Sequence, residues 1–129
     1  MRVAVVGSRS ITDQDLINYH LDMLLLPCGG ENGDEVTIIS GGANGVDSLA
    51  REWARLNKKD FILFKPYHLI DSSVTYHPRY FFVRNKQIVD NSDMVICFWD
   101  GKSNGSKDAM KYARKCGKEL RVITLDHES

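Results

Sequence analysis

The sequence VTIISGGANGVDSLAREWA, residues 36–54, passes from an apolar, β-branched run through a glycine-rich turn to helical spacing. The apolar run at 36–39 is typical of a strand that is covered on both faces. The turn from Ser40 to Gly45 follows it, and a helix is predicted over 47–57. The stretch therefore predicts a strand, a tight turn and a helix in succession, the unit from which parallel α/β folds are built.

The same alternation runs along the whole chain. Strands are predicted at 3–6, 36–39, 61–64, 94–98 and 120–125, and helices at 13–26, 47–57, 79–91 and 107–116. Thr12, with Asp15 three residues later, is predicted to cap the first helix. Since right-handed crossovers join successive parallel strands, we expect an α/β fold: a Rossmann-like three-layer sandwich with a mainly parallel sheet of about five strands. We expect residues 1–129 to form one domain.

Composition excludes several classes of protein. Seventeen basic residues offset seventeen acidic ones, so no overall field attracts nucleic acid or an anionic membrane. Cys28, Cys97 and Cys116 lack the spacing of a disulfide framework or a zinc site, and the four histidines lack metal-ligand spacing. The apolar run before Gly7 is too short for a signal peptide. We therefore expect a cytoplasmic protein with no metal, no cofactor and no membrane partner.

Glycine-rich loops follow three of the predicted strands. A turn without side chains, leading into a helix, exposes backbone N–H groups at the positive helix end and lets a phosphate approach. None of the loops is a Rossmann G-x-G-x-x-G or a P-loop motif, so a dinucleotide coenzyme and nucleoside triphosphate hydrolysis are disfavoured. The candidate anion-binding residues are Gly7, Ser8 and Arg9; Ser40, Gly41, Gly42, Ala43, Asn44 and Gly45; and Asp100, Gly101, Ser103, Asn104, Gly105 and Ser106.

The segment RYFFVRNKQIVDNSD, residues 79–93, places a charge on an apolar stripe. Phe81 and Ile88 lie on one helical face, and Arg84 and Asn85 lie between them on that face. One interpretation is structural: Arg84 reaches a surface or pairs with a carboxylate such as Asp90 or Asp93. The other is functional: the guanidinium binds a phosphate or ribose oxygen in the cleft of the glycine loops. We favour the second, because burying a charge is costly.

These motifs together resemble the SLOG superfamily, which groups DNA-processing protein A with the "lonely guy" phosphoribohydrolases. The likeness covers residues 1–125 and is greatest to the small YspA-like, DUF2493 branch. The resemblance implies a Rossmann-like fold that binds nucleotides or their derivatives. It places Gly41, Gly42, Gly45 and Asp47 in the second-strand motif. It also matches Arg84 to the catalytic arginine of the phosphoribohydrolases, and Asn85 to the asparagine that follows this arginine in the DNA-processing and small branches.

The last loop departs from the phosphoribohydrolase pattern. That pattern, P-G-G-x-G-T-x-x-E, puts Ala109 where the family has its catalytic glutamate. Asp108 is the neighbour, but one residue along a helix is a rotation of about 100°. The leading expectation is therefore a sensor or binding module for a phosphorylated nucleoside or nucleotide-derived ligand. The alternative is a hydrolase that cleaves an N-glycosidic or phosphate bond, with Arg84 stabilising charge and Asp47 or Asp108 as acid or base.

Three further expectations concern partners and loops. Single-stranded DNA binding is the weakest alternative, because the net charge is zero, and nucleic acid is not expected as a partner. The segment 66–78 is a candidate lid, and Tyr67 or Trp99 could stack on a base. Tyr80, Phe81, Phe82 and Val83 point in several directions from one helix, so a homodimer or larger symmetric assembly is expected.

Overall fold

Five parallel strands form the sheet in the computed structural model, which describes residues 1–26, 36–41, 45–66, 70–71 and 73–125. The strand order is β3-β2-β1-β4-β5. The predicted α/β, Rossmann-like architecture is confirmed. In chain order the elements are β1 (Arg2–Gly7), α1 (Gln14–Leu25), β2 (Thr37–Ser40), α2 (Val46–Leu56), β3 (Asp60–Leu63), α3 (Arg79–Asp90), β4 (Met94–Trp99), α4 (Asn104–Lys115) and β5 (Glu119–Thr124).

Helices cover both faces of the sheet, as its apolar strands require. Alternate residues of β1 point to opposite faces: Val3 and Val5 join a first core with α1 and α2, whereas Ala4 and Val6 join a second core with α3 and α4. Trp53 fills the first core and donates its indole N–H to Asp22 Oδ1 at 2.8 Å. The result is the predicted three-layer sandwich.

Three helices begin at other residues than expected, among them α2, which begins at Val46, one residue before its predicted start. The N-cap of α1 is Asp13, whose Oδ1 accepts the N–H of Leu16 at 3.2 Å, so the prediction of Thr12 was wrong. Helix α4 begins at Asn104, three residues before the predicted start, because Ser103 caps it through the N–H of Ser106. Asp47 lies in the first turn of α2, where Gly45 occupies the N-cap position.

The cysteines and the longer loops are only partly within the described residues. Cys97 is buried in the second core, and burial raises the pKa of its thiol to about 12, whereas Cys116 is exposed. Cys28 lies outside the described residues, as does the rest of the stretch 27–35. Residues 67–69 and 72 of the candidate lid also lie outside them, including Tyr67. No helix in the described ranges is long and apolar enough to cross a membrane.

Candidate functional site

A cavity of about 480 Å³ opens at the edge of the sheet where the parallel strands end. The register places Gly7 beside Phe98, so the loops after β1 and β4 leave the sheet next to each other. Side chains from these loops and from α2, α3 and α4 form the walls. The described lining residues are Val6, Gly7, Arg9, Ser10, Asp47, Pro78, Phe81, Phe82, Arg84, Asn85, Ile88, Asp100, Ser103, Gly105, Ser106 and Ala109.

The first glycine loop is built by contacts within the chain. A Cβ at Gly7 would lie 2.6 Å from the carbonyl oxygen of Phe98 and 2.6 Å from Cγ2 of Val46, so only glycine fits there. Ser8 is buried; its N–H donates to Phe98 O at 3.0 Å, and its Oγ accepts the N–H of Asp100 at 3.1 Å. These contacts hold the first and last loops together and leave Arg9 exposed at the cavity.

The second loop contacts the first loop and α3. Gly45 has a φ of +80°, and a Cβ there would lie 2.7 Å from Cα of Arg9. Both its conformation and its position therefore require glycine. The predicted site residues Gly42, Ala43 and Asn44 lie outside the described residues. Ser40 and Gly41 are buried but do not line the cavity, and neither does Gly45.

Arg84 extends from α3 across the end of β2. Its Nη1 donates to the carbonyl oxygen of Gly41 at 3.0 Å, and its guanidinium carbon lies 5.4 Å from the centroid of the Phe81 ring. Nε of Arg84 is buried and has no hydrogen-bond partner among the described residues. Burial is the main cause that lowers the pKa of Arg84, and the negative charge of Asp47 opposes that shift.

The carboxylates considered as structural partners of Arg84 are engaged elsewhere. Asp90 accepts a hydrogen bond from the hydroxyl of Tyr112 at 2.8 Å, and Asp93 accepts the N–H of Arg2 at 2.8 Å. The described residues thus offer Arg84 a backbone carbonyl and a nearby Asp47, which is itself buried in the cavity wall.

Asn85 links α3 to the start of α4. Its Nδ2 donates to Gly105 O at 3.3 Å and to Asp108 Oδ2 at 3.2 Å. Asp108 is not among the described residues that line the cavity, whereas Ala109 is. The rotation of about 100° between neighbouring helix residues therefore separates the two as expected, and Asp108 helps to fix the helix start.

Asp100 shapes the third loop. Its Oδ1 accepts the N–H groups of Lys102 and Ser103, each at 2.8 Å, and its Oδ2 accepts the hydroxyl of Ser10 at 2.9 Å. These bonds, foremost the one from the Lys102 amide, lower the pKa of Asp100 to about 2. Gly101, with φ of +85°, completes the turn. Gly101 and Asn104 do not line the cavity, although Ser103, Gly105 and Ser106 do.

An apolar wall of the cavity adjoins Arg84, and sequence reasoning missed part of it. Pro78, Phe81, Phe82 and Ile88 form it on α3 and just before. The stripe of Phe81 and Ile88 had pointed to this face, but Phe82 had been assigned to a surface for a partner chain. Trp99 does not line the cavity; its indole N–H donates to Ser103 O at 3.0 Å, and the ring packs against the second core.

The cavity therefore offers charge of both signs beside an apolar surface. Arg9 and Arg84 are the cations that line it, and Asp47 and Asp100 are the anions. In the part of the chain that the structure describes, no three His, Cys, Asp or Glu side chains come together as a metal site. Such a cavity suits an organic ligand that has an anionic group, hydroxyl groups and a flat apolar part.

Solved structures of similar fold come from two DNA processing proteins and a third protein. DNA processing protein A from Helicobacter pylori, whose single-stranded DNA binding mode has been described, is 26% identical with a TM-score of 0.73, over 100% of this chain and 67% of that one. The Streptococcus pneumoniae protein is 22% identical with a TM-score of 0.74, and the match covers 99% of this chain and 52% of that one. TM1055 is 20% identical with a TM-score of 0.66, and the match covers 92% of this chain and 71% of that one.

The chain thus spans about two thirds of the Helicobacter protein and about half of the Streptococcus protein. A comparison with curated proteins gave no match. A family model does match residues 1–68; its description is YspA, cpYpsA-related SLOG family.

Proposed function

Since the chain belongs to the YspA, cpYpsA-related SLOG family, we propose that its cavity binds a phosphorylated nucleoside or a nucleotide-derived ligand, as a sensor or binding module. One observation carries the proposal: a half-buried guanidinium, that of Arg84, lies in the cavity wall, and its buried Nε–H has no acceptor among the described residues. An unpaired buried donor of this kind costs free energy unless a ligand accepts its hydrogen bond.

The phosphate is assigned to the cationic side of the cavity. Arg84 and Arg9 can donate several N–H groups to phosphate oxygens, and a guanidinium suits this geometry better than an ammonium group does. The start of α4 is nearby, with Ser103, Gly105 and Ser106 in the wall. The positive end of that helix also favours an anion.

The nucleoside part is assigned to the apolar residues of α3, which lie beside Arg84. Phe81, Phe82 and Ile88 supply an apolar surface against which a base can pack. Asp47, only 6% exposed, can accept hydrogen bonds from ribose hydroxyls. These assignments explain why the cavity holds carboxylates as well as arginines, a mixture that a site for inorganic phosphate alone would not need.

Asp47 decides whether the ligand is also cleaved. Ala109 lines the cavity and has no acidic group. Asp108 accepts a hydrogen bond from Asn85 and is not among the described residues that line the cavity. Of the two carboxylates that the hydrolase alternative names as acid or base, Asp47 is the one that lines the cavity. We expect negligible release of free base from nucleoside 5′-monophosphates, because removing one such catalytic group typically costs about 100- to 10,000-fold in rate.

A second candidate function is binding of single-stranded DNA. The similarity to the Helicobacter DNA processing protein favours it, because that protein binds single-stranded DNA and the likeness covers all of this chain. The apolar wall with two phenylalanines is compatible with stacking of an unpaired base. The zero net charge opposes it.

The experiment is isothermal titration calorimetry with nucleoside 5′-monophosphates and with a short single-stranded oligonucleotide. Arg84→Ala should weaken mononucleotide binding by about 2–5 kcal/mol, the cost of removing one partner of a buried charge-assisted pair. The matched control is Arg51→Ala, since Arg51 is exposed on α2 and does not line the cavity. Equal affinity of the wild type and Arg84→Ala would show that Arg84 is structural.

The enzymatic alternative has its own test. The wild type is incubated with purine and pyrimidine monophosphates, and free base is followed by chromatography. Turnover that survives in Asp108→Asn but disappears in Asp47→Asn would replace the binding module with a hydrolase. Tight binding of the oligonucleotide without binding of any mononucleotide would instead favour the second candidate.

A further inference from the structure

The two edge strands of the sheet differ in how well they are protected. β3 has four residues and is flanked by Lys58 and Lys59 on one side and by Lys65 and Pro66 on the other. Charges, proline and short length are the usual means of preventing an edge from pairing with another chain. β5 has six residues, pairs with β4 along its whole length and contains no proline. Within the described residues its outer edge has no partner strand.

Exposed apolar side chains adjoin this open edge. Tyr19 and Met23 of α1 are 60% and 63% exposed, and Val122 of β5 is 38% exposed. Together with Leu24, Leu120 and Ile123 they line a shallow groove of about 420 Å³ between α1 and β5. A strand as apolar as LRVIT is typical of the interior of a parallel sheet, yet here four of its six positions are exposed.

We infer that a second copy of this chain covers the edge, with the two β5 strands pairing antiparallel about a two-fold axis to form one continuous ten-stranded sheet. A two-fold contact brings the same surface of both copies together, so a single open edge is sufficient for both. It would pair free backbone groups at the start of β5, and the two α1 helices would approach each other across the groove.

The charges on β5 fit such a pairing. Glu119 and Arg121 lie on the same face of the strand and form an ion pair at 3.0 Å. In an antiparallel pair with Leu120 opposite Leu120 of the second copy, each Glu119 faces Arg121 of the other copy. The axis then relates two opposite-charge cross-strand pairs, which stabilise a sheet, whereas a register centred on Arg121 would oppose two like charges.

This surface is separate from the candidate ligand site. The groove and the cavity share no described lining residue, because they lie at different sides of the sheet. A variant can therefore lose dimerisation and keep nucleotide binding, or lose nucleotide binding and keep dimerisation. The inferred interface also differs from the helix 79–91 surface that the sequence suggested, since Phe82 of that helix lines the cavity.

Sedimentation velocity of two matched variants tests the interface. Val122 on β5 and Val83 on α3 are 38% and 39% exposed, so Val122→Lys and Val83→Lys make the same change at equally exposed sites. The wild type and Val83→Lys should be dimers at micromolar concentration. Val122→Lys should raise the dimer dissociation constant by about 100-fold or more, because the symmetry places two lysines in one interface.

Three results would overturn the inference: a monomeric wild type, a dimer that Val122→Lys leaves intact, or a dimer that Val83→Lys breaks instead. Circular dichroism of each variant confirms that the monomer is folded.

Cysteine cross-linking tests the register. In a background with Cys28 and Cys116 changed to serine, Leu120→Cys should form a covalent dimer on mild oxidation, because opposed antiparallel residues have Cα atoms about 4.5–5.5 Å apart. Thr124→Cys should not, since the same register places it beyond the paired segment. Cross-linking through Thr124→Cys and not through Leu120→Cys would overturn this pairing.

Discussion

At residue 41, any side chain would collide with Arg84. A Cβ on Gly41 would lie 2.7 Å from Nη1 of Arg84 and 2.8 Å from its Cδ and Cζ. Gly41→Ala should therefore displace the guanidinium while the chain still folds, and overpacking of this kind costs about 1–3 kcal/mol. Nucleotide affinity, measured by calorimetry, should fall nearly as far as in Arg84→Ala.

Gly105→Ala should differ from that substitution in its effect on stability, although Gly105 also lines the cavity. A Cβ there meets no atom within 4 Å, and the residue lies in the first turn of α4. The free energy of unfolding, measured in urea, should rise by about 0.4–1 kcal/mol, because alanine restricts the unfolded chain. If Gly41→Ala kept wild-type affinity, the contact between Gly41 and Arg84 would not position the guanidinium for binding.

Single residues were predictable where their chemistry conflicted with their position. Arg84 stood out because a charge interrupted the stripe of Phe81 and Ile88, and the structure places all three in the cavity wall. Gly7 was predicted to admit a phosphate, but its space is filled by Phe98 and Val46 of the same chain. The sequence cannot tell whether a glycine makes room for a ligand or for another part of the same chain, because both close approaches require a residue without a side chain.

The loop that joins β4 to α4 depends on one carboxylate. Hydrogen bonds from Lys102 and Ser103 lower the pKa of Asp100 to about 2. A carboxyl group whose pKa is lower in the folded state contributes stability above its unfolded pKa of about 3.9. That contribution should be lost as the pH falls through the folded value, so the window lies between about pH 4 and pH 2.

Asp100→Asn tests this effect, because asparagine Oδ1 can accept the N–H groups of Lys102 and Ser103 without titrating, whereas its Nδ2 would donate to the Ser10 hydroxyl. The wild type should exceed the variant in free energy of unfolding at neutral pH, and the difference should shrink as the pH falls below 4. Urea unfolding at several pH values measures it. A difference that stays constant over this range would show that Asp100 acts through shape alone.

Helices were predicted well where apolar spacing was regular. Helix α3 was expected over 79–91 and is observed over Arg79–Asp90. The start of α4 was missed because Asn104 and Gly105 have low helix propensity and carry no apolar stripe. The cap from Ser103 decides that boundary, and a serine in a turn-rich loop does not reveal which N–H its hydroxyl will accept.

Across the whole molecule, the proposed ligand would contact parts of the chain from β1 to α4. Nucleotide bound only to the folded state should raise the global free energy of unfolding by about 2.7 kcal/mol at 100 times its dissociation constant. Hydrogen exchange should slow in β1, α2 and β4 together. Protection limited to one helix would indicate that the nucleotide binds outside the cavity.

The sequence predicted the number and direction of the strands because each is a separate apolar run between helices. It did not predict which strands form the edges: β5 is as apolar as an inner strand but has one neighbour among the described strands. Strand order depends on contacts between distant segments, which local periodicity does not contain.

The position of β1 has a consequence for how the protein is made. Val3 lies beside Met94, so β1 is synthesised well before β4 and one of its sides stays unpaired until β4 follows. Pairing over such a sequence separation makes folding slow and leaves a nascent chain with an open strand that can bind other chains. We expect ribosome-bound chains that end before residue 94 to need chaperone protection.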